Sequence, residues 1–289
     1  ILFIALLLGL LPGLAMAETL KIILPGGASG SYNTRFQILK DEIETVWNDD
    51  VDIIWGNNCT RTKHLLSKES NPVLTIWQVE YNLNPACDLP VEKQNIIAVE
   101  TNYIRFCTSN NSGRIAEDLI RPGVSFTVGH SDPHEEYRKW FVGYNKAMNT
   151  NLKAVPYGSS GKARKGVLAG DIDFVFISPS NSNKLMSSGG KCFFSTGPIG
   201  EDKHNLPALS SVSKYEKASI NQGYFYAAFN MSEDDLQKLR DLYGKIALGQ
   251  NSKFTKFAGT KDINLRGNQQ LSNNEMIILM KDTLKLWAE

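Results

Sequence analysis

Short apolar runs alternate with longer amphipathic stretches along most of this chain. Leu20–Leu24 is a compact apolar run suited to a buried strand. Residues 32–47 follow with Phe36, Leu39, Ile43 and Val46 at helical spacing, which predicts an amphipathic helix. Val51–Trp55 predicts a second strand, stopped by Gly56-Asn57-Asn58. Residues 60–68 then read as a helix and residues 72–78 as a third strand. This strand–helix rhythm predicts a mainly parallel sheet covered by helices.

After Asn95 the rhythm breaks. Residues 96–99 and 103–107 read as consecutive strands without an intervening helix, the pattern of a chain passing from one unit into another. A second alternating series follows: a strand at 125–128, a helix at 133–148, strands at 152–155 and 172–177 around a helix at 160–169, and a strand at Lys191–Ser195. Asp132, Pro133 and Glu135 form a start signal for the helix at 133, with the acid as N-cap and the proline at the first helical position. Residues 222–229 predict a strand returning to the first unit, and residues 232–248 and 272–287 predict closing helices. Trp55, Trp77, Trp140 and Trp287 are expected in the core or at its rim.

The predicted fold class is therefore α/β and two-lobed. Residues 18–101 plus 221–289 would form one lobe and residues 102–220 the other, with a cleft between them. Ligands of open α/β sheets sit at the carboxyl ends of strands. The strand-to-helix turns at 25–31 and 129–132 are thus the expected cleft-facing segments.

Residues 1–17 are apolar, broken at Pro12-Gly13 and closed by Ala15-Met16-Ala17. They read as a signal peptide cut after Ala17, and fall short of the ~20 residues a membrane span needs. No initiator Met or basic region precedes them, so the sequence is expected to begin within that segment. A periplasmic location is the expectation. Lys and Arg number 31 against 30 Asp and Glu, without a basic block, which argues against a nucleic-acid partner. Behind an export signal, Cys59, Cys87, Cys107 and Cys192 are expected to form disulfides. Three pairings are possible; Cys59–Cys87 and Cys107–Cys192 are favoured because each joins segments of one predicted unit. The spacing fits neither a zinc knuckle nor a CxxC redox site.

The glycine-rich turn Gly26, Gly27, Ala28, Ser29, Gly30, Ser31 leaves backbone N–H groups bare at the positive end of a helix, a ready anion receptor. It lacks the spacing of a dinucleotide-binding turn. Gly158-Ser159-Ser160-Gly161-Lys162 superficially suggests a phosphate loop but lacks the G-x-x-x-x-G-K-[ST] spacing of one, Ala163 following the lysine; Ser159 or Ser160 would cap a helix or meet a cleft ligand. His130-Ser131-Asp132-Pro133-His134 admits two readings. One is the start of a metal site of a ferric-ion receptor, completed from afar by Tyr157; the other is a capped helix with His130 facing an acidic ligand. Arg35 and Arg61 are the cations placed nearest the expected cleft, Arg61 being suited to a second carboxylate. A secreted hydrolase is a further alternative, although no Gly-x-Ser-x-Gly elbow is present and no catalytic set or cofactor is expected.

Pro25-Gly26-Gly27-Ala28, followed later by Val155-Pro156-Tyr157 and Leu168-Ala169-Gly170-Asp171-Ile172-Asp173, resembles the substrate-binding proteins of tripartite tricarboxylate transporters. The resemblance spans nearly all of the chain after residue 17. It implies a type II periplasmic-binding-protein fold closing on a small organic acid, without bond chemistry. It also implies a monomer that serves a membrane permease, a sensor kinase being the alternative partner. In that family backbone amides of two facing turns hold the carboxylate. Gly26, Gly27 and Ala28 match the first turn directly, while the second is matched only at Gly129 and Ser131. Gly56-Asn57-Asn58-Cys59-Thr60-Arg61 departs from the family, which often has a Gly-Ala-Gly-Gly loop there.

Overall fold

The computed structural model describes residues 19–26, 28, 31–131, 136–198, 200 and 202–288. The segment expected to be a signal peptide, residues 1–17, and the whole of the start signal at 132–135 lie outside the described residues.

Among the described residues two sheets carry the fold. The first takes strands β1 (Leu20–Leu24), β2 (Val51–Trp55), β3 (Val73–Gln78), β4 (Asn95–Tyr103), β10 (Asn221–Phe229) and β11 (Asn264–Gly267), in the order β11-β4-β10-β3-β1-β2. The second takes β5 (Arg105–Thr108), β6 (Ser125–His130), β7 (Asn151–Pro156), β8 (Phe174–Ile177) and β9 (Lys191–Ser195), in the order β7-β6-β8-β5-β9. The expected parallel arrangement holds for β2-β1-β3 and β7-β6-β8. The strands joining the two halves, β4, β5 and β10, pair antiparallel with their neighbours, so both sheets are mixed. The short connection between β4 and β5 leaves no room for a helix and carries the chain from the first sheet into the second.

Helices α1 (Ser31–Trp47) and α2 (Cys59–Lys68) connect the parallel strands of the first sheet. Phe36, Leu39 and Ile43 of α1 are fully buried against Leu20, Ile22 and Leu24, each stabilising the fold by ~1.5–3 kcal/mol. In the second sheet the connections are α3 (Ala116–Ile120), α4 (Glu136–Met148), α5 (Ser160–Ala169) and α6 (Pro179–Ser187). Trp140 of α4 stacks on Phe176 of β8 at 5.1 Å, and Phe106 of β5 meets Phe176 at 4.6 Å. After β10 come α7 (Glu233–Ala247), α8 (Ser252–Lys261) and α9 (Asn273–Ala288). Met276 and Met280 of α9 lie in the core of the first half, while Trp287 at its far end stacks on Tyr137 of α4 at 4.9 Å.

The two chain crossings are tied together at one residue. The N–H of Ile104 donates to Thr196 Oγ1 (3.0 Å), the Thr196 N–H donates to the Ile104 carbonyl (2.9 Å), and the Thr196 hydroxyl donates to the Ile220 carbonyl (2.6 Å). Disulfides join Cys59 to Cys87 and Cys107 to Cys192. The first pins the start of α2 to the segment after the 3-10 turn Val79–Leu83, and the second cross-links neighbouring strands β5 and β9. No helix among the described residues is long and apolar enough to cross a membrane.

Candidate functional site

Between the halves lies a cleft of about 860 Å³. Four helices open onto it at their N-terminal turns. Tyr32, Thr34 and Arg35 of α1, and Asn58, Cys59 and Thr60 at the start of α2, line it from the first half. From the second half come Ser159, Ser160 and Gly161 at the start of α5, and Ser178, Ser180 and Asn181 at the start of α6. Local chemistry explains where α2, α5 and α6 start. Asn58 Oδ1 accepts the Arg61 N–H at 2.8 Å, Ser159 Oγ accepts the Lys162 N–H at 3.3 Å, and Pro179 occupies the first turn of α6. A helix start carries N–H groups without intrahelical acceptors and the positive end of the helix dipole.

The floor is built from the strands that cross between halves. Asn102 of β4 and Gln222 of β10 face one another in register, and Gln222 Nε2 donates to the Tyr137 hydroxyl at 2.8 Å. Tyr32 donates to Gln78 Oε1 at 3.2 Å and shares a hydrogen bond with the Tyr81 hydroxyl at 3.3 Å. Burial, then the charges of Tyr81 and Tyr224, raises the Tyr32 pKa well above its usual value, so its hydroxyl stays a neutral donor. Glu80, also on the cleft, accepts the Gly223 N–H at 3.3 Å.

Among the described residues three cations line the walls: Arg35, Lys184 and Lys261. Arg35 is held bidentately by Glu100, with Nε 2.9 Å from Oε2 and Nη2 bonded to Oε1. Burial opposes its charge, but the field and hydrogen bonds of Glu100 outweigh that and hold the guanidinium more firmly protonated. Lys261 of α8 reaches across the cleft to Ser180 Oγ of α6 at 2.5 Å. Burial, followed by the charges of Lys184 and Arg35, lowers the Lys261 pKa. Among the described residues no group of three or more His, Cys, Asp or Glu is placed to hold a metal ion.

No protein-family model matches the sequence, and no curated protein matches it. Solved structures do resemble it. A TctC solute-binding protein from Polaromonas, solved without ligand, superposes with a TM-score of 0.69 at 11% identity, over 95% of this chain and 98% of that one. MatC from Rhodopseudomonas palustris, with bound malate, superposes at 0.67 and 12% identity over 94% and 98%. A second protein from that organism, solved with adipate, gives 0.69 and 11% over 94% and 98%. This chain has the two-lobed fold of periplasmic binding proteins. At the level of the fold, the likeness agrees with the resemblance read from Pro25–Ala28 and Val155–Asp173.

In this binding-protein fold, Ser131, Ser159 and Ser160 stand on the cleft, as does Pro25 just ahead of the glycine-rich turn. Gly26 is half-buried, and a Cβ there would lie 2.9 Å from Tyr32 Cδ2; Ala28 is exposed, its carbonyl accepting from Asn33 Nδ2 at 2.6 Å. Gly27, Ser29, Gly30 and the Ser31 side chain lie outside the described residues.

Six expected contacts, Gly26, Ala28, Gly129, His130, Tyr157 and Arg61, are not among the residues lining the cleft. Strand β6 runs two residues further than its apolar pattern suggested, since Gly129 and His130 still pair with β7 and β8. The turn therefore begins at Ser131. Gly129 is a glycine for packing: a Cβ there would stand 2.3 Å from Ile172 Cδ1 and 3.2 Å from Tyr157 Cε2. Tyr157 lies half-buried between Gly129 and Gly166. Arg61 is exposed on α2, where Asn57, Asn58 and Thr60 present polar side chains to the cleft instead.

His130 is buried among Tyr137 and Phe141, each ring 5.6 Å away, and its Nδ1 has no hydrogen-bond partner among the described residues. Burial lowers its pKa to about 4. The unfolded chain takes up this proton near pH 6.5 and the folded one only near pH 4. Stability is thus lost as pH falls from 6.5 to 4, by up to about 3 kcal/mol. Replacing His130 by phenylalanine should flatten the pH dependence of urea unfolding in that window by about one proton. An unchanged slope would place the imidazole in contact with solvent.

The cleft residues that sequence reasoning missed sit mainly on α6 and α8: Ser180, Asn181, Lys184, Phe257 and Lys261. Pro179 at a helix start and Asn251 as an N-cap, accepting the Phe254 N–H, were the available signals.

Proposed function

We propose that this protein is an extracytoplasmic solute receptor that captures a small organic acid in the cleft and delivers it to a membrane transporter. Residues 18–101 plus 221–289 and residues 102–220 serve as its two lobes, and closure of one on the other holds the ligand. The observation that carries this reading is the convergence of four helix N-terminal turns, from α1, α2, α5 and α6, on one cavity. Uncharged N–H and hydroxyl donors favour a carboxylate there without a dedicated ion pair. Each hydrogen bond to a charged group contributes ~1.5–3 kcal/mol. Four or five such bonds supply about 6–15 kcal/mol, which reaches the ~8 kcal/mol of micromolar binding when the association cost lies near the low end of its range of about 4–15 kcal/mol.

The malate and adipate bound by two proteins of this fold support the ligand class. Export to the periplasm, on which the apolar segment 1–17 bears, fits a receptor of this kind, as do the two disulfides. The mechanism needs no reacting side chain: ligand contacts from both lobes favour the closed form over the open one. Differential scanning fluorimetry with a panel of mono-, di- and tricarboxylates and aromatic acids tests the reading. At least one acid should raise the unfolding temperature in a saturable manner. No shift across the panel, with stabilisation by neutral sugars or by metal ions instead, would overturn it.

A further inference from the structure

Lys184 and Lys261 set this cleft apart from a receptor built of uncharged donors alone. They stand on facing helices: Lys184 on α6, between strands of the second sheet, and Lys261 at the end of α8, which packs on the first half. Besides the bond from Lys261 to Ser180, Asn183 Nδ2 of α6 donates to the Thr260 carbonyl of α8 at 3.3 Å. Ser180 and Lys184 are four residues apart, so they share one face of α6 and bring both ammonium groups to the same wall. Among the described residues neither lysine has a carboxylate partner. The nearest acid in sequence, Asp262, is taken by Arg105 at 2.7 Å and Lys203 at 3.6 Å. Arg35, the third cation, is already neutralised by Glu100.

Two uncompensated like charges held on facing, already touching helices repel one another, and an anion between them turns that repulsion into attraction. We infer that Lys184 and Lys261 seat a second acidic group of the ligand, so that the receptor selects small dicarboxylates whose far carboxylate bridges α6 and α8. The inference rests on the acid-receptor reading above. The first carboxylate takes the N–H and hydroxyl donors of the helix starts, and the second takes the lysines. A monoacid makes only the first set of contacts and leaves the two ammonium groups opposed.

Isothermal titration of the full chain after residue 17 with three matched pairs tests this: succinate against butyrate, glutarate against valerate, adipate against hexanoate. The best diacid should bind the wild type at least tenfold more tightly than its monoacid, equivalent to ~1.4 kcal/mol. Lys184→Met and Lys261→Met should each reduce diacid affinity about tenfold, and monoacid affinity by less than about twofold. Lys261→Arg should restore the preference. Equal affinity for mono- and diacids, or a diacid preference that survives the double methionine variant, would overturn the inference while leaving the acid receptor standing. Absence of heat with all six acids would overturn both. Because the wild-type comparison decides the main point, the test stands even if a variant fails to fold.

Discussion

Replacing Arg105 by methionine should cost about 3–5 kcal/mol of stability, among the largest losses any single side chain here would produce. Arg105 begins β5, directly after the crossing at Ile104, and is almost completely buried. Its Nε donates to Asp202 at 2.7 Å, Nη2 to Asp262 at 2.7 Å, and Nη1 to Ser182 Oγ at 3.0 Å and Asn183 Oδ1 at 2.8 Å. One guanidinium thus joins β5, α6, the segment at 202 and the residue that caps α8. Methionine fills the space but leaves Asp202 in a poorly hydrated position without its counter-ion, and Asp262 with Lys203 alone. Lysine would keep the charge but not the fork, so Arg105→Lys should also be destabilising. Urea unfolding followed by circular dichroism measures the loss. A change below about 1 kcal/mol would mean that Asp202 and Asp262 are already well hydrated.

The second large effect concerns Arg35 and Glu100. The pair is buried, Glu100 also accepts from the Tyr226 hydroxyl at 3.1 Å, and Arg35 packs with its Cζ 5.6 Å from the Tyr224 ring and 5.8 Å from that of Phe257. Arg35→Met should again cost about 3–5 kcal/mol, because Glu100 is left charged and unpaired beneath the cleft wall. That uncompensated carboxylate should also weaken binding of an acidic ligand. Removing both charges together, as Arg35→Met with Glu100→Met, should recover most of the stability, since the cost lies in the orphaned partner rather than in the lost pair. A double variant no more stable than the single one would show that the pair itself is strongly favourable, as well packed as any apolar replacement.

The readable part of this fold is the part governed by periodicity. Leu20–Leu24, the face of α1 carrying Phe36, Leu39 and Ile43, and the return through β10 are strongly patterned because each buries an apolar face in a sheet core. The unbroken run of β4 into β5 marked the passage between halves for the same reason. The missed elements are those whose stability comes from other sources. Helix α6 reads Pro179-Ser180-Asn181-Ser182-Asn183-Lys184, a composition typical of loops, and is held by Arg105 and by its contact with α8. Helix α8 has few apolar positions, with Phe254 its buried anchor. Both helices line the cleft, so residues on its wall carry the weakest structural pattern. The turn after β6 was placed early for a related reason. Gly129 has the composition of a turn, but here it is a strand residue whose missing side chain makes room for Ile172 and Tyr157.

The central claim, that a small acid is held between the four helix starts, is tested most directly by filling that space. Gly161 lines the cleft in the first turn of α5, and a Cβ there would have as its nearest neighbour Asn181 Oδ1 at 3.8 Å, so a larger side chain fits the backbone and projects into the cavity. Titration calorimetry with malate, succinate and adipate should show saturable binding of at least one acid to the wild type. The same acid should bind Gly161→Trp at least a hundredfold more weakly, ~2.7 kcal/mol, with the unfolding temperature of the free protein nearly unchanged. Equal affinity of the wild type and the tryptophan variant for that acid would contradict the account.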